Sequence, residues 1–187
     1  MYHIPDDKRA KHSADLLAEA MTECLKHKDF DKVSISDLNK ICFVSRSTFY
    51  RLFDNTSDIL RYMCDTMFET VLEHISQTRF DNPVDMMATL NREIMSKSTV
   101  ITALERSGRT DILYNTQIKY SPLFIRYFNT FDSKLSPVEL DCIIRILTSS
   151  LFAYIGLWVE KGRHETPEEL TAMVMKSFRI IAQVTIK

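Results

Sequence analysis

The segment VSRSTFYRLF, residues 44–53, decides how the fold of this chain is interpreted. On a helix, Phe49 and Phe53 lie four residues apart and therefore on one face. Arg46 and Tyr50 lie on the opposite face, among serine and threonine hydroxyls that can donate and accept hydrogen bonds. The segment therefore predicts a short helix with one face packed in a core and the other directed outward.

Residues 34–53 predict two short helices joined by a turn. Ser34 followed by Asp37 is a capping-box signature that starts the first short helix, and Ser45 can cap the second. A longer helix precedes them, so the unit satisfies the requirements of a helix-turn-helix that places its second helix in a major groove about 12 Å wide. From the residues alone, an ordinary solvated amphipathic helix is the commoner interpretation of such a pattern, and both stay open.

The side chains suited to DNA contacts are concentrated in this segment. The net charge of the whole chain is −1, but no acidic residue lies between Asp37 and Asp54, which leaves a local positive patch. Arg46 can reach guanine acceptors, and the hydroxyl groups can contact phosphates or base edges. The candidate DNA-binding residues are Lys40, Val44, Ser45, Arg46, Ser47, Thr48, Tyr50 and Arg51.

The composition predicts an all-α fold. The 187 residues include only 3 glycines and 5 prolines, and 45% of them are apolar. Few helix breakers indicate long helices, and we expect about nine of them. The predicted division is an N-terminal three-helix DNA-binding domain, residues 1–55, and a C-terminal helical ligand-binding and dimerisation domain, residues 56–187. Within the second domain we expect a helical break at Ser121-Pro122.

The last two helices predict a dimer interface. The signatures SPVE at 136–139 and TPEE at 166–169 start them, and the first is apolar nearly all round. A helix that is apolar on every side has to be covered on every side, and a second copy of the chain is the simplest cover. The candidate dimerisation residues are Ile144, Leu147, Leu151, Trp158, Met173, Val174, Phe178 and Ile181.

Methionine and aromatic side chains in the C-terminal part are suited to a small apolar or amphipathic effector. Methionine adapts to irregular ligands, and aromatic rings line most small-molecule pockets. The same residue types more often form plain core. The candidate effector-binding residues are Met63, Met67, Met86, Met87, Tyr114, Tyr120, Phe124, Tyr127 and Trp158.

Other classes of protein lack support in the sequence. There is no Gly-rich phosphate loop, no HExxH, no GxSxG and no cluster of His, Asp and Glu, so we expect no enzyme, no metal and no cofactor. The 4 cysteines are scattered without a CxxC pair, which favours reduced core thiols over redox sensing. The absence of a signal-peptide pattern and of 18 consecutive apolar residues predicts a cytoplasmic protein without a membrane segment.

A longer stretch, FDKVSISDLNKICFVSRSTFYRLFDNTSDIL at 30–60, resembles the helix-turn-helix signature of TetR/AcrR-type transcriptional regulators. The matching positions are Val33, Ser34, Asp37, Leu38, Val44, Ser45, Thr48, Phe49, Tyr50, Phe53, Asp58 and Leu60. The resemblance implies phosphate contacts at Thr48 and Tyr50 and base contacts within 44–47. It further implies a homodimeric, ligand-responsive repressor that binds a pseudo-palindromic operator and dimerises through its last two helices.

Several positions depart from that signature. Cys42-Phe43 replaces the usual Ala-Gly of the turn, and Phe43 in a left-handed conformation would cost about 1 kcal/mol or more. Leu52 replaces an aromatic residue or histidine, and Thr56 replaces the lysine that usually opens the fourth helix. These departures leave open an alternative, a TetR-like adaptor or coactivator that binds DNA weakly or not at all.

Overall fold

The structure, a computed structural model, describes residues 1–128, 135–162 and 164–185. Within these ranges the chain is built from α-helices and one short 3-10 turn, Phe30–Lys32, with no β-strand, which confirms the predicted all-α fold. The helices are α1 Lys8–Leu25, α2 Ile35–Cys42, α3 Arg46–Leu52, α4 Thr56–Gln77, α5 Pro83–Ser96, α6 Ser98–Arg106, α7 Thr110–Phe128, α8 Pro137–Glu160 and α9 Pro167–Thr185.

The helices pack into two units. Unit 1 contains residues 1–68 and 99–116, and unit 2 contains residues 69–98 and 117–187. Helix α4 therefore contributes its first part to unit 1 and its last part to unit 2. The predicted boundary after residue 55, between a DNA-binding domain and a ligand-binding and dimerisation domain, stays a prediction.

The core of unit 1 holds α3 by its apolar face. Phe49 and Phe53 are fully buried, with ring centroids 5.9 Å apart, as the four-residue spacing predicts. Leu17 of α1 and Leu38 of α2 are also fully buried, so the short helices pack on the longer first helix. Because α3 has only 7 residues, this packing rather than its own hydrogen bonds holds it as a helix.

The first residues of the chain hold the C-terminal end of α3. Tyr2 forms an antiparallel bridge with Phe53, and the backbone N–H of His3 donates to the carbonyl of Leu52 at 2.8 Å. The Tyr2 hydroxyl donates to the carboxylate of Asp65. Its ring lies edge-on to that of Tyr62, with centroids 5.6 Å apart. The end of α3 is thereby tied to α4.

Local capping signals determine where several helices begin. The hydroxyl of Ser34 accepts from the N–H of Asp37 at 3.2 Å, and the Asp37 carboxylate accepts from the N–H of Ser34 at 3.0 Å. Ser136 and Glu139 form the same capping box at the start of α8. The Ser45 hydroxyl accepts from the backbone of α3 as well. The predicted caps at these three serines are confirmed.

The predicted break at Ser121-Pro122 is wrong, because α7 runs through it. Proline has no N–H, so the carbonyl of Ile118, four residues earlier, loses its usual donor. The hydroxyl of Ser121 donates to that carbonyl at 3.1 Å. The serine thus replaces the hydrogen bond that the proline cannot make, and the helix continues.

A buried polar network links three helices of unit 2. The side chain of Asn91 on α5 is completely buried, and its Nδ2 donates to Oγ1 of Thr171 on α9 at 2.6 Å. The hydroxyl of Tyr154 on α8 donates to Oδ1 of Asn91 at 2.5 Å. Both ends of the amide are therefore satisfied, which makes the network a determinant of how α5, α8 and α9 pack.

Helix α8 is the most apolar of the described helices. Its best window has a mean hydropathy of 1.7, and α8 is the one helix in the described ranges that is long and apolar enough to cross a membrane. Only 29% of that window is buried inside the chain. Length and hydropathy are weak grounds for a membrane span, since a core helix of a soluble protein meets the same criteria.

Candidate nucleic-acid interface

The outer face of α3 is open to solvent. Tyr50 is 59% exposed, and Arg46 and Arg51 are exposed beside it. Of the other candidate DNA-binding residues, Lys40, Ser45 and Ser47 are exposed and Thr48 is partly exposed. Seven of the eight candidates therefore have accessible side chains on α3, on its cap or at the end of α2.

Val44 is the exception among those candidates. Its side chain is buried in unit 1, so it does not offer a surface to a partner. The residue directly precedes the cap of α3, and its apolar side chain is 9% exposed. We correct the expectation accordingly and assign Val44 to the core rather than to a base contact.

Hydroxyl groups converge at the start of α3. The Oγ of Ser45 lies 2.9 Å from the Oγ of Ser47 and 2.9 Å from the Oγ1 of Thr48. It also accepts from the backbone N–H of Thr48 at 3.1 Å. Hydroxyl protons rotate to suit their partners, so the Ser47 and Thr48 hydroxyls can turn to donate to a phosphate oxygen.

The guanidinium of Arg46 is oriented by α2. Its Nη2 donates to the hydroxyl of Ser36 at 2.6 Å. A guanidinium carries five N–H donors in a rigid fork, so one such bond fixes its direction and leaves donors for a guanine edge. Ser36 is a positioning residue that the sequence pattern did not reveal, because the pair depends on how α2 and α3 cross.

Tyr50 presents its hydroxyl to solvent while one edge of its ring packs on α3. The ring lies edge-on against buried Phe49, with centroids 5.3 Å apart. Within the described residues, its hydroxyl has no hydrogen-bond partner. A tyrosine held by its ring edge and open at its hydroxyl is suited to a phosphate contact.

The carboxylate of Asp37, on α2, is paired with a lysine outside the outer face of α3. Asp37 lies 2.9 Å from the ammonium of Lys28. Lys28, together with the hydroxyl and backbone N–H of Ser34, holds the pKa of Asp37 well below its ordinary range. Its charge is therefore compensated within unit 1 and does not oppose the positive patch formed by Lys40, Arg46 and Arg51.

The turn before α3 has an unusual backbone. Phe43 has a φ of 56°, the one positive φ of a non-glycine residue in the described ranges. Its side chain is 90% exposed, and that of Ile41 is also exposed. Phe43 therefore keeps the left-handed backbone that glycine usually supplies at this turn, and its aromatic ring lies in solvent.

A groove between α8 and α9 forms a second candidate surface, in unit 2. Its volume is about 420 Å³. Five of the eight candidate dimerisation residues line it, namely Trp158, Met173, Val174, Phe178 and Ile181. Leu157 lines it too and is exposed, although it is not among the predicted dimerisation residues.

Two of the remaining dimerisation candidates need correction. Ile144 and Leu151 are each 1% exposed, so they belong to the core of their own chain and not to the groove. Leu147 is partly exposed. Helical periodicity identifies an apolar face, but it does not say whether the same chain or a second copy covers that face.

The candidate effector residues are divided between the two units. Met63, Met67 and Tyr114 belong to unit 1, with Tyr114 exposed and both methionines buried. In unit 2, the buried candidates are Met86, Met87, Tyr120 and Phe124, and Trp158 lines the α8–α9 groove. The side chain of Tyr127 lies outside the described residues. The effector site stays a prediction.

The comparisons with known proteins support the fold. No protein-family model matches the chain. No curated protein matches it either. Among solved structures, the crystal structure of Lin0861 from Listeria innocua is similar, with a TM-score of 0.75 and 14% sequence identity over 96% of each chain. At this identity the similarity shows that the two chains share an all-helical fold along nearly their whole length.

Proposed function

We propose that this chain is a DNA-binding transcriptional regulator of the TetR/AcrR type, a cytoplasmic homodimer that acts as a repressor on a pseudo-palindromic operator. The observation that carries the proposal is the two-sided character of α3. Phe49 and Phe53 are buried on one side, while Arg46, Tyr50 and Arg51 are exposed on the other. A recognition helix needs this combination of a fixed inner face and a polar outer face.

The exposed groups divide by the kind of DNA contact that each can make. Tyr50 and Thr48 can donate hydroxyl protons to phosphate oxygens, which fixes the position of the protein on the duplex. Arg46, aligned by Ser36, can make paired hydrogen bonds to O6 and N7 of guanine. Lys40 and Arg51 add positive charge at the backbone.

The α8–α9 groove supports the homodimer. Leu157, Met173 and Ile181 expose apolar area along it, and covering this area removes it from water. A two-fold dimer presents two recognition helices to half-sites about 34 Å apart, so a palindromic operator follows from the symmetry of the protein. Binding of a small apolar or amphipathic effector in the C-terminal part would change that spacing through α4 and release the operator.

The proposal is tested by selecting duplexes from a randomised DNA pool with the wild-type protein, then measuring their affinity at several salt concentrations. We expect enrichment of a palindromic sequence and a steep loss of affinity with salt. Tyr50→Ala should weaken binding to every duplex, whereas Arg46→Ala should also relax the sequence preference at one position per half-site. Val84→Ala, which changes an exposed residue of unit 2 outside every proposed site, is the control.

The opposite result has a defined meaning. If no sequence is enriched and the salt dependence is shallow, the chain is not an operator-binding regulator. The adaptor interpretation, in which the helical surface binds protein, would then replace it.

A further inference from the structure

Phe43 occupies a backbone conformation that its side chain disfavours. At a φ of 56° the Cβ of an L-residue approaches the following carbonyl oxygen, and only glycine, asparagine and aspartate adopt this region at low cost. The residue follows the last residue of α2, where its N–H donates to the carbonyl of Asn39 at 3.1 Å. The geometry is the one that a glycine normally supplies at the end of a helix.

Packing of the Phe43 side chain does not offset this conformational strain. Its ring is 90% exposed, so it buries almost no apolar area within the chain. Ile41, two residues earlier in the chain, is also exposed, and we call Ile41 and Phe43 the apolar tip. In α2, Oδ1 of Asn39 is buried without a hydrogen-bond partner in the described residues. A strained, exposed aromatic residue that contributes nothing to the core indicates a role in binding.

The surroundings of the tip select the kind of partner. Phe43 lies two residues before the cap of α3, and Lys40, Arg46 and Arg51 are exposed on the helices to either side. No acidic residue intervenes between Asp37 and Asp54. An exposed apolar group flanked along the chain by cationic residues complements a duplex, whose grooves offer apolar methyl groups between two phosphate backbones.

We propose that Phe43 is a specificity-determining residue whose ring packs against the C5-methyl group of a thymine at the edge of each half-site. This assignment rests on the proposed function. In a helix-turn-helix, the first residues of the recognition helix reach base edges, so a side chain from the turn directly before them reaches the neighbouring base pair. A thymine methyl is the apolar feature of the major groove, and phenylalanine is suited to contact it.

Phe43→Asn separates binding from stability. Asparagine tolerates the left-handed region, so this variant should melt higher than wild type by about 2–4 °C. It should bind the duplex selected by the wild-type protein about five- to tenfold more weakly, since roughly half the area of a buried phenylalanine would be lost from the complex. Phe43→Leu, which keeps both the strain and the apolar group, should retain most of the affinity.

Deoxyuridine identifies the contact on the DNA, because it lacks only the C5-methyl group of thymidine. Replacing the thymine next to the base pair read by Arg46 should weaken wild-type binding and should cause no further loss in Phe43→Asn. A full additional loss in that variant, or no loss in wild type, overturns the assignment.

The remaining outcomes separate the two proposals. If Tyr50→Ala weakens binding to the selected duplex but Phe43→Asn binds as tightly as wild type, the Phe43 contact is rejected and the regulator remains. If Phe43→Asn melts lower than wild type, the strain argument fails and the contact loses its basis. If the wild-type protein enriches no duplex, the proposed function is rejected and the contact with it.

Discussion

The hydroxyl of Tyr154 should contribute strongly to the stability of unit 2. It donates to Oδ1 of Asn91 at 2.5 Å, and the Asn91 amide is completely buried. Tyr154→Phe removes this donor and leaves the amide oxygen without a partner, while the amide nitrogen keeps its bond to Thr171. The loss of one partner from a buried hydrogen bond costs about 1–3 kcal/mol, and we expect about 2 kcal/mol because almost no volume is lost.

The chain carries its own probe for this measurement. Trp158 is the single tryptophan, and it lies in unit 2, where its Nε1 donates to the carbonyl of Glu165 at 3.1 Å. Its fluorescence therefore follows the unfolding of that unit in urea. With a denaturant slope of about 2 kcal/mol per molar urea, a loss of about 2 kcal/mol lowers the midpoint by about 1 M.

Tyr114→Phe is the matched control, because it removes the same atom from an exposed tyrosine of unit 1. We expect its midpoint to stay within about 0.25 M of wild type. A double-mutant cycle with Asn91→Ala isolates the coupling between the two side chains. If Tyr154→Phe shifts the midpoint no more than the control does, the buried network does not stabilise unit 2.

Three further predictions follow from particular contacts. Met173→Glu places a charge in the α8–α9 groove and should convert the expected dimer into a monomer, as measured by light scattering. Val84→Glu, at an exposed position of α5, is the control and should leave the mass of the protein unchanged. Equal masses for the two variants would contradict the groove as an interface. The lowered pKa of Asp37 means that its charged form stabilises unit 1 above the ordinary carboxyl pKa of about 4 and that this contribution is lost as the pH falls through the lower folded pKa. The melting temperatures of wild type and Asp37→Asn should therefore differ most near neutral pH and converge in acid, and a difference that stays constant down to pH 2 would refute this origin. Ser121→Ala removes the donor to the carbonyl of Ile118 and should lower the stability of unit 2 by about 1 kcal/mol in the tryptophan assay, while an unchanged midpoint would contradict a stabilising role for this bond.

Features set by neighbouring residues were predictable from the sequence. The capping boxes at Ser34 and Ser136 depend on a hydroxyl and a carboxylate three positions apart, and both form as expected. The inner face of α3 is likewise set by the four-residue spacing of Phe49 and Phe53. Such signals require no knowledge of the rest of the fold.

Features set by distant residues were not predictable in the same way. Asn91 lies 63 residues from Tyr154 and 80 from Thr171, so no local pattern brings their polar groups together. The burial of Ile144 within its own chain depends equally on which helix covers it. Even Ser121 is informative only once its hydroxyl is seen to replace the missing proton donor of Pro122.

The exposed apolar residues of the two units call for different partners. In unit 1, Phe43 and Tyr50 stand among cationic side chains, and an apolar ring in such a setting fits a polyanion that also offers methyl groups. In unit 2, Leu157 and Ile181 border a groove lined mainly by apolar side chains, which fits a second copy of the same surface. Neither set contributes much to the core of its own unit. Substitution of either set should therefore reduce DNA binding or dimerisation more than it reduces the stability of the fold. A helical domain whose exposed apolar residues have no partner would show neither loss.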